Sequence, residues 1–220
     1  MAATINTNTY SLNAQRNLAK NSLGLASAIE RLSSGLRVNS ARDDASGLAR
    51  GMTLETSART TAVNIRDLGD QISTAETEDG ALSVLNDVLQ RMGELNAQSD
   101  MTNTSDELTA LASQASTLAT AGGATITITA TSDTAAITSA IGVVASTRAA
   151  KGATMNNAEF QIQAAQVSYA NQMAARGRIM DADFAEETSR LSRFQILQQA
   201  GTAMVAQANA IPQNVLTLLR

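Results

Sequence analysis

ASGLARGMTLETSARTTAVNIRDLGDQISTAETEDGALSVLNDVLQRMGELNAQ, residues 45–98, decides the fold. Apolar or small residues recur at Leu54, Ala58, Thr61, Ile65, Leu68, Ile72, Ala75, Asp79, Leu82, Leu85, Leu89, Met92 and Asn96, alternating by three and four. That is the spacing of one helix face, and only Asp79 on it is charged. A helix over this stretch extends about 75 Å. The spacing therefore predicts a long helix in a bundle or rod. A second long helix follows from residue 134 to about 178, with its face at Ile137, Ile141, Val144, Arg148, Lys151, Met155, Ala158, Ile162, Ala165, Tyr169, Gln172, Arg176 and Ile179. Arg148 and Lys151 break that face and predict a place where packing opens to solvent. Glu76, Glu78 and Asp79 read as a solvated face or a contact between helices.

Outward from these helices, both chain ends are uncharged. The first charge is Arg16, and no charged side chain lies between Phe194 and Leu219. The N-terminal segment carries a face at Leu18, Ser22, Leu25, Ile29, Leu32 and Leu36, which predicts a helix from Ser11 to about Leu36. The C-terminal segment carries Leu191, Phe194, Leu197, Gly201, Met204, Ala208 and Ile211, with Val215 and Leu218 beyond Pro212. Pro212, lacking an amide hydrogen, is expected to end or kink that helix. The two terminal helices are expected to pair, and the surface they leave is expected to be covered by neighbouring molecules.

Between the long helices, Val38-Asn39-Ser40 reads as a break, with Asp43 and Asp44 in the first turn of the next helix. Residues 99–105 read as a turn, and Asp106 to Ala121 as a short helix ending at Gly122-Gly123. Thr125-Ile126-Thr127-Ile128-Thr129 alternates with period two and predicts a strand, followed by a Ser132-Asp133 cap. The expected class is all-α: an elongated helical-bundle rod of paired N- and C-terminal helices, with a minor β element near 124–130.

Composition narrows the function. In 220 residues aromatics are 2%, Trp is absent and there is one Pro, so a thick aromatic core and many turns are excluded. The net charge of −4 with 16% charged residues argues against a basic face for nucleic acid. With no Cys and no His, thiol or imidazole nucleophiles, triads, disulfides and ordinary zinc sites are unavailable. No catalytic residue, cofactor or metal site is expected. Asp43-Asp44 is weighed as a metal site and set aside because adjacent helical side chains diverge, and Asp181-Ala182-Asp183 is weighed as a metal motif and set aside too. The amides between Phe194 and Leu219 make that stretch a poor membrane span, and it lacks the basic face of a membrane-surface helix. MAATINTNTYSLNAQR has neither a basic nor a continuous apolar region of a signal peptide.

The residues resemble bacterial flagellin. Three blocks carry the resemblance: AIERLSSGLRVNSARDDASGLA at 28–49, ISTAETEDGALSVLNDVLQRMGELNAQS at 72–99, and ARGRIMDADFAEETSRLSRFQILQQAGTAMVAQANAIPQNVLTLLR at 175–220, with a typical start in INTNTYSLNAQRNL. The resemblance implies a subunit that self-polymerises helically into the extracellular filament used for swimming. It further implies export without a cleaved signal peptide through the flagellar type III apparatus. Residues 1–32 and 181–220 would form an inner coiled-coil layer, 33–46 a linker, and 47–180 a helical rod domain, with the variable outer domains absent. Contacts between subunits would run through Leu18, Leu25, Ile29, Leu32, Leu36, Leu191, Phe194, Leu197, Met204, Ala208, Ile211, Val215 and Leu218. An export chaperone would take Leu191, Phe194, Leu197, Met204, Val215 and Leu219. A filament cap protein and hook–filament junction proteins are further implied partners; nucleic acid and membrane are not. Arg91 and Leu95 match part of a motif read by an animal flagellin receptor, but Gly93 replaces its second basic residue, and no acidic partner is evident near Ser113-Gln114. A junction adaptor of the same superfamily is the alternative reading.

Overall fold

The computed structural model describes residues 7–97, 105–130 and 133–218, with side chains as far as residue 210. It is all-α in its described residues, with α1 Thr9–Ser34, α2 Ala45–Ala97, α3 Ser105–Gly122, α4 Thr134–Met180 and α5 Phe184–Leu218. Contacts group the chain into two compact units, Met1–Thr56 with Gln172–Arg220, and Ser57–Asn171.

Within Ser57–Asn171 lies the one thick core. Leu82, Leu85, Val88, Leu89, Met92 and Leu95 of α2 meet Leu108, Ala112, Ala115 and Ala119 of α3 and Ile137, Ala140 and Val144 of α4. The α3 face is alanine at nearly every step, so its axis can approach closely. Gly122 completes that face: a Cβ there would lie 2.6 Å from Leu82 Cδ2. Gly123 then turns the chain with φ +69°, a conformation that costs other residues more.

The predicted strand is absent. Residues 124–129 form neither helix nor ladder, and Ile126 and Ile128 pack half-buried against the core while Thr125, Thr127 and Thr129 stay exposed. Period two was the correct reading of the side chains, but a strand needs a second strand to bond with, and no described segment supplies one. Asp133 performs the predicted capping, its Oδ1 accepting from Thr134 N at 2.7 Å. Residues 99–104 and Ser132 lie outside the described residues.

At Arg148 and Lys151 the α4 face is half-open to solvent, and both cations are held by carboxylates of α2. Arg148 grips Asp79 with two hydrogen bonds, 2.8 and 3.2 Å, and Lys151 pairs with Glu78. Glu78 and Asp79 of the acidic cluster are thus a contact between helices, while Glu76 is exposed. Lys151 Nζ also lies beside Gly123, where the last carbonyls of α3 favour a cation. The Arg148 guanidinium holds the Asp79 carboxyl below its ordinary 3.8. A carboxylate shifted down on folding contributes stability above its unfolded value and loses it as pH falls through the folded one. Thermal melts of the native chain should therefore decline more steeply as the pH falls below the ordinary carboxylate value, whereas those of Asp79→Asn start lower at neutral pH and fall less. Parallel acid limbs would show that the pair contributes nothing.

Helical hydroxyls satisfy themselves. Thr53, Thr56, Thr74 and Thr77 on α2, Thr109, Ser113 and Thr117 on α3, and Thr138, Thr147 and Thr154 on α4 each donate to the carbonyl four residues back, at 2.8 to 3.1 Å.

Candidate assembly surface

In the unit that holds both chain ends, α1 and α5 run antiparallel along one another. Asn8 Nδ2 donates to the Ala208 carbonyl at 2.8 Å, and Ser11 Oγ donates to Asn209 Oδ1 at 2.7 Å. Leu18 packs on Gly201, where a Cβ would come within 3.0 Å of Leu18 Cδ1. Further along, the Phe194 ring fills the space a Cβ on Gly24 would take, 2.6 Å away. Each advance on α1 matches a retreat on α5, down to an antiparallel bridge between Leu36 and Asp181.

Local chemistry sets both ends of α1. Asn8 caps its start, with Oδ1 accepting from Ser11 N at 3.1 Å. Gly35 ends it at φ +72°, its amide donating to the Arg31 carbonyl at 2.8 Å. The residues that follow are a backbone clasp. Arg37 N donates to the Met180 carbonyl at 2.7 Å, and Ala182 N donates to the Gly35 carbonyl at 2.9 Å. Arg37 Nη2 also donates to the Ile179 carbonyl. Val38 and Met180 are buried beneath this clasp at 1% and 5% exposure, and Gly51 leaves the room that Met180 occupies.

Asp43 and Asp44 precede α2 and do not sit in its first turn. Asp43 accepts from Asn39 N, Ser40 N and Ser40 Oγ, and the Ser40 bonds hold its carboxyl below the ordinary value. Asp44 caps the helix through Gly47 N at 2.9 Å. Asp183 does the same for α5, accepting from Ala185 N and Glu186 N. These aspartates are occupied by turn and cap hydrogen bonds, which accounts for their spacing.

The α1/α5 pair buries little. On α1 only Ser11 and Ala28 are buried; on α5, Glu187 and Ala208. Leu18, Leu25, Leu32, Leu36, Leu191 and Phe194 are half-buried. Ile29 faces outward, and Ala28 takes its place at the contact. Leu197 and Met204 remain 40% and 62% exposed and line a groove of about 410 Å³ with Tyr10, Asn13, Leu18 and Gly201. Helix α5 continues through Pro212 to Leu218, so the proline does not end it; the side chains of Ile211, Val215 and Leu218, and all of Leu219, lie outside what the structure describes.

The other candidate, Arg91 with Leu95, falls in Ser57–Asn171. Leu95 is 3% exposed in the core. Arg91 pairs with Glu94 at 3.2 Å and with Glu107 at 3.3 Å, so α3 does supply an acidic partner, a turn and a half before Ser113. Sequence reasoning also missed Gly24, Ala28 and the clasp. The sole aromatic of the α5 face, Phe194, was the available signal for Gly24, since a ring on a thin seam needs a notch opposite.

A slender helix pair with apolar residues on its uncovered faces defines a helical structural subunit. The bacterial flagellin N-terminal helical region matches residues 5–121, and the bacterial flagellin C-terminal helical region matches residues 134–219. The chain belongs to the bacterial flagellin family, whose members are structural subunits of the flagellar filament and not enzymes. It is similar to a flagellin of Xenorhabdus nematophila, at 32% identity with all of both chains covered. It is also similar to flagellins of Escherichia coli K12, at 45% identity over 49% of this chain and 23% of that one, and of Shigella flexneri, at 47% over 48% and 19%. The chain thus spans under a quarter of the Escherichia and Shigella proteins but the whole of the Xenorhabdus one.

Proposed function

We propose that the chain polymerises into the flagellar filament through its terminal helix pair, with residues 1–32 and 181–220 as the inner layer, 33–46 as linker and 47–180 as the rod domain. The observation that supports this is the exposure of large apolar residues on α1 and α5: Leu12 at 54%, Leu23 at 71%, Ile29 at 51%, Ile196 at 66% and Met204 at 62%. Two helices cannot cover both of their own apolar faces, and a second copy supplies the cover. A contact between unlike surfaces of identical subunits leaves a free surface at each end and so grows an open filament. The long rod helices would add side-to-side contacts.

The partners follow from the same surface. An export chaperone would shield Leu191, Phe194, Leu197 and Met204, together with Val215 and Leu219, until the subunit is secreted without a cleaved signal peptide. A cap protein would guide it into place, and junction proteins would anchor the first turn. No observation favours the junction adaptor as the identity of this chain. Receptor engagement through Arg91 and Leu95 has less support, because a receptor would have to take Arg91 from two carboxylates and reach a buried leucine.

Electron microscopy of the full-length protein added to short filament seeds tests the proposal. Long uniform fibres with a central channel are expected; a protein that stays monomeric over seeds overturns it.

A further inference from the structure

The contact between α1 and α5 repeats. On α1, Ser11, Leu18 and Leu25 are seven residues apart; on α5, Phe194, Gly201 and Ala208 are also seven apart. A slide by one heptad, about 10 Å along the axis, would therefore set Leu18 against Ala208, another small residue. No ion pair can forbid the slide over this stretch, because α5 carries no charge from Phe194 to Leu219. The groove and the exposed apolar faces would survive it with their order shifted. Something else must choose the register.

We infer that the clasp between residues 35–38 and 179–182 is the register device of the terminal pair. Its slack is short. Gly35 alone separates α1 from the bridging Leu36, and Ala182 and Asp183 alone separate the bridging Asp181 from α5. Three residues that are already hydrogen-bonded cannot absorb a heptad slide. The clasp is also buried, through Val38 and Met180, and its bonds join backbone to backbone, which no rotamer change can loosen. Phe194 in the Gly24 notch is a second marker of register, but its ring is only half-buried and can swing out. The clasp fixes which α1 residue meets which α5 residue, and so fixes the surface offered to a neighbour. This last consequence rests on the polymerisation proposed above; the register itself does not.

The chain has no cysteine, so an engineered pair gives one disulfide. Leu18→Cys with Gly201→Cys reports the observed register: Leu18 Cβ lies 3.7 Å from an ideal Cβ on Gly201, within the span a disulfide needs. Leu18→Cys with Ala208→Cys reports the heptad slide. Both pairs are oxidised in free subunits and in seeded assemblies. Arg37→Pro then removes the amide that donates to Met180 and the guanidinium that donates to Ile179. Its expected effect is a fall of about tenfold or more in the 18–201 disulfide, with the 18–208 disulfide rising where the helices still pair. Phe194→Leu should keep the 18–201 disulfide. If Arg37→Pro loses helix content throughout by circular dichroism, Val38→Ala, which empties the site under the clasp, decides in its place with the same expected fall. An unmodified clasp that never gives the 18–201 disulfide in either form, or a clasp variant that gives it in full, overturns the inference. A chain that cross-links in register yet never grows filaments would instead count against the polymerisation reading.

Discussion

A chain shortened to Arg193 will form no filament over seeds, while Ser57–Asn171 stays folded. The deletion removes Phe194 from the Gly24 notch, Gly201 from Leu18, and both Ala208 and Asn209 from the first turn of α1. Helix α1 is then left without its antiparallel partner over most of its length, and an isolated helix of this size is marginal in water. The α2–α3–α4 core loses nothing, because no residue of it lies beyond Val144. Two measurements check the result together: electron microscopy for fibres, and circular dichroism with a cooperative melt for the remaining core. Filaments from the shortened chain would sink the role given to α5. Loss of the melt would show that the two units depend on each other for stability.

The second large effect lies in the core itself. Leu85 is fully buried among α2, α3 and α4, against alanines that have no side chain to move into a vacancy. Leu85→Ala should cost about 2–5 kcal/mol, toward the upper end because the site cannot collapse. Val84, next to it, is 48% exposed, and Val84→Ala should fall within about 0.5 kcal/mol. Denaturant midpoints of the two variants at unchanged slope test the contrast. Equal shifts would mean that the helix face has been assigned wrongly.

That face was legible from residues alone. Leu82, Leu85, Leu89 and Met92 were all placed on it by spacing, as were the ends of α2 at residues 45 and 97 to within a residue. Periodicity works there because three helices surround the side chains, so each apolar position has one inward direction. It works less well on α1, where Ile29 is expected inside and Ala28 is buried instead, because a two-helix contact leaves most of each helix's circumference uncovered. The strand at 125–129 and the ion pairs of α4 depend on what lies across from them: the first on a partner strand that is absent among the described residues, the second on Asp79, sixty-nine positions from Arg148, and Glu78, seventy-three positions from Lys151. The clasp was invisible for the same reason, since its bonds join backbone atoms and leave no mark in side-chain pattern. On the terminal surface, composition said that the ends were uncharged and thin; only the coordinates show that Leu197 and Met204 open onto a groove and that Phe194 needs Gly24.

The threonines and serines that bond back to their own helices have a bearing on how such a subunit is covered. A hydroxyl in water ordinarily gives up a solvent partner when a neighbour closes over it, and that loss opposes association. Here Thr53, Thr56, Thr74, Thr117, Thr138 and Thr154 already donate inward, to carbonyls of their own backbone. Their donors are spent before any neighbour arrives. Covering one of these hydroxyls therefore strands no donor. Such hydroxyls keep their hydrogen bonds without a change of side-chain conformation when a neighbour covers them.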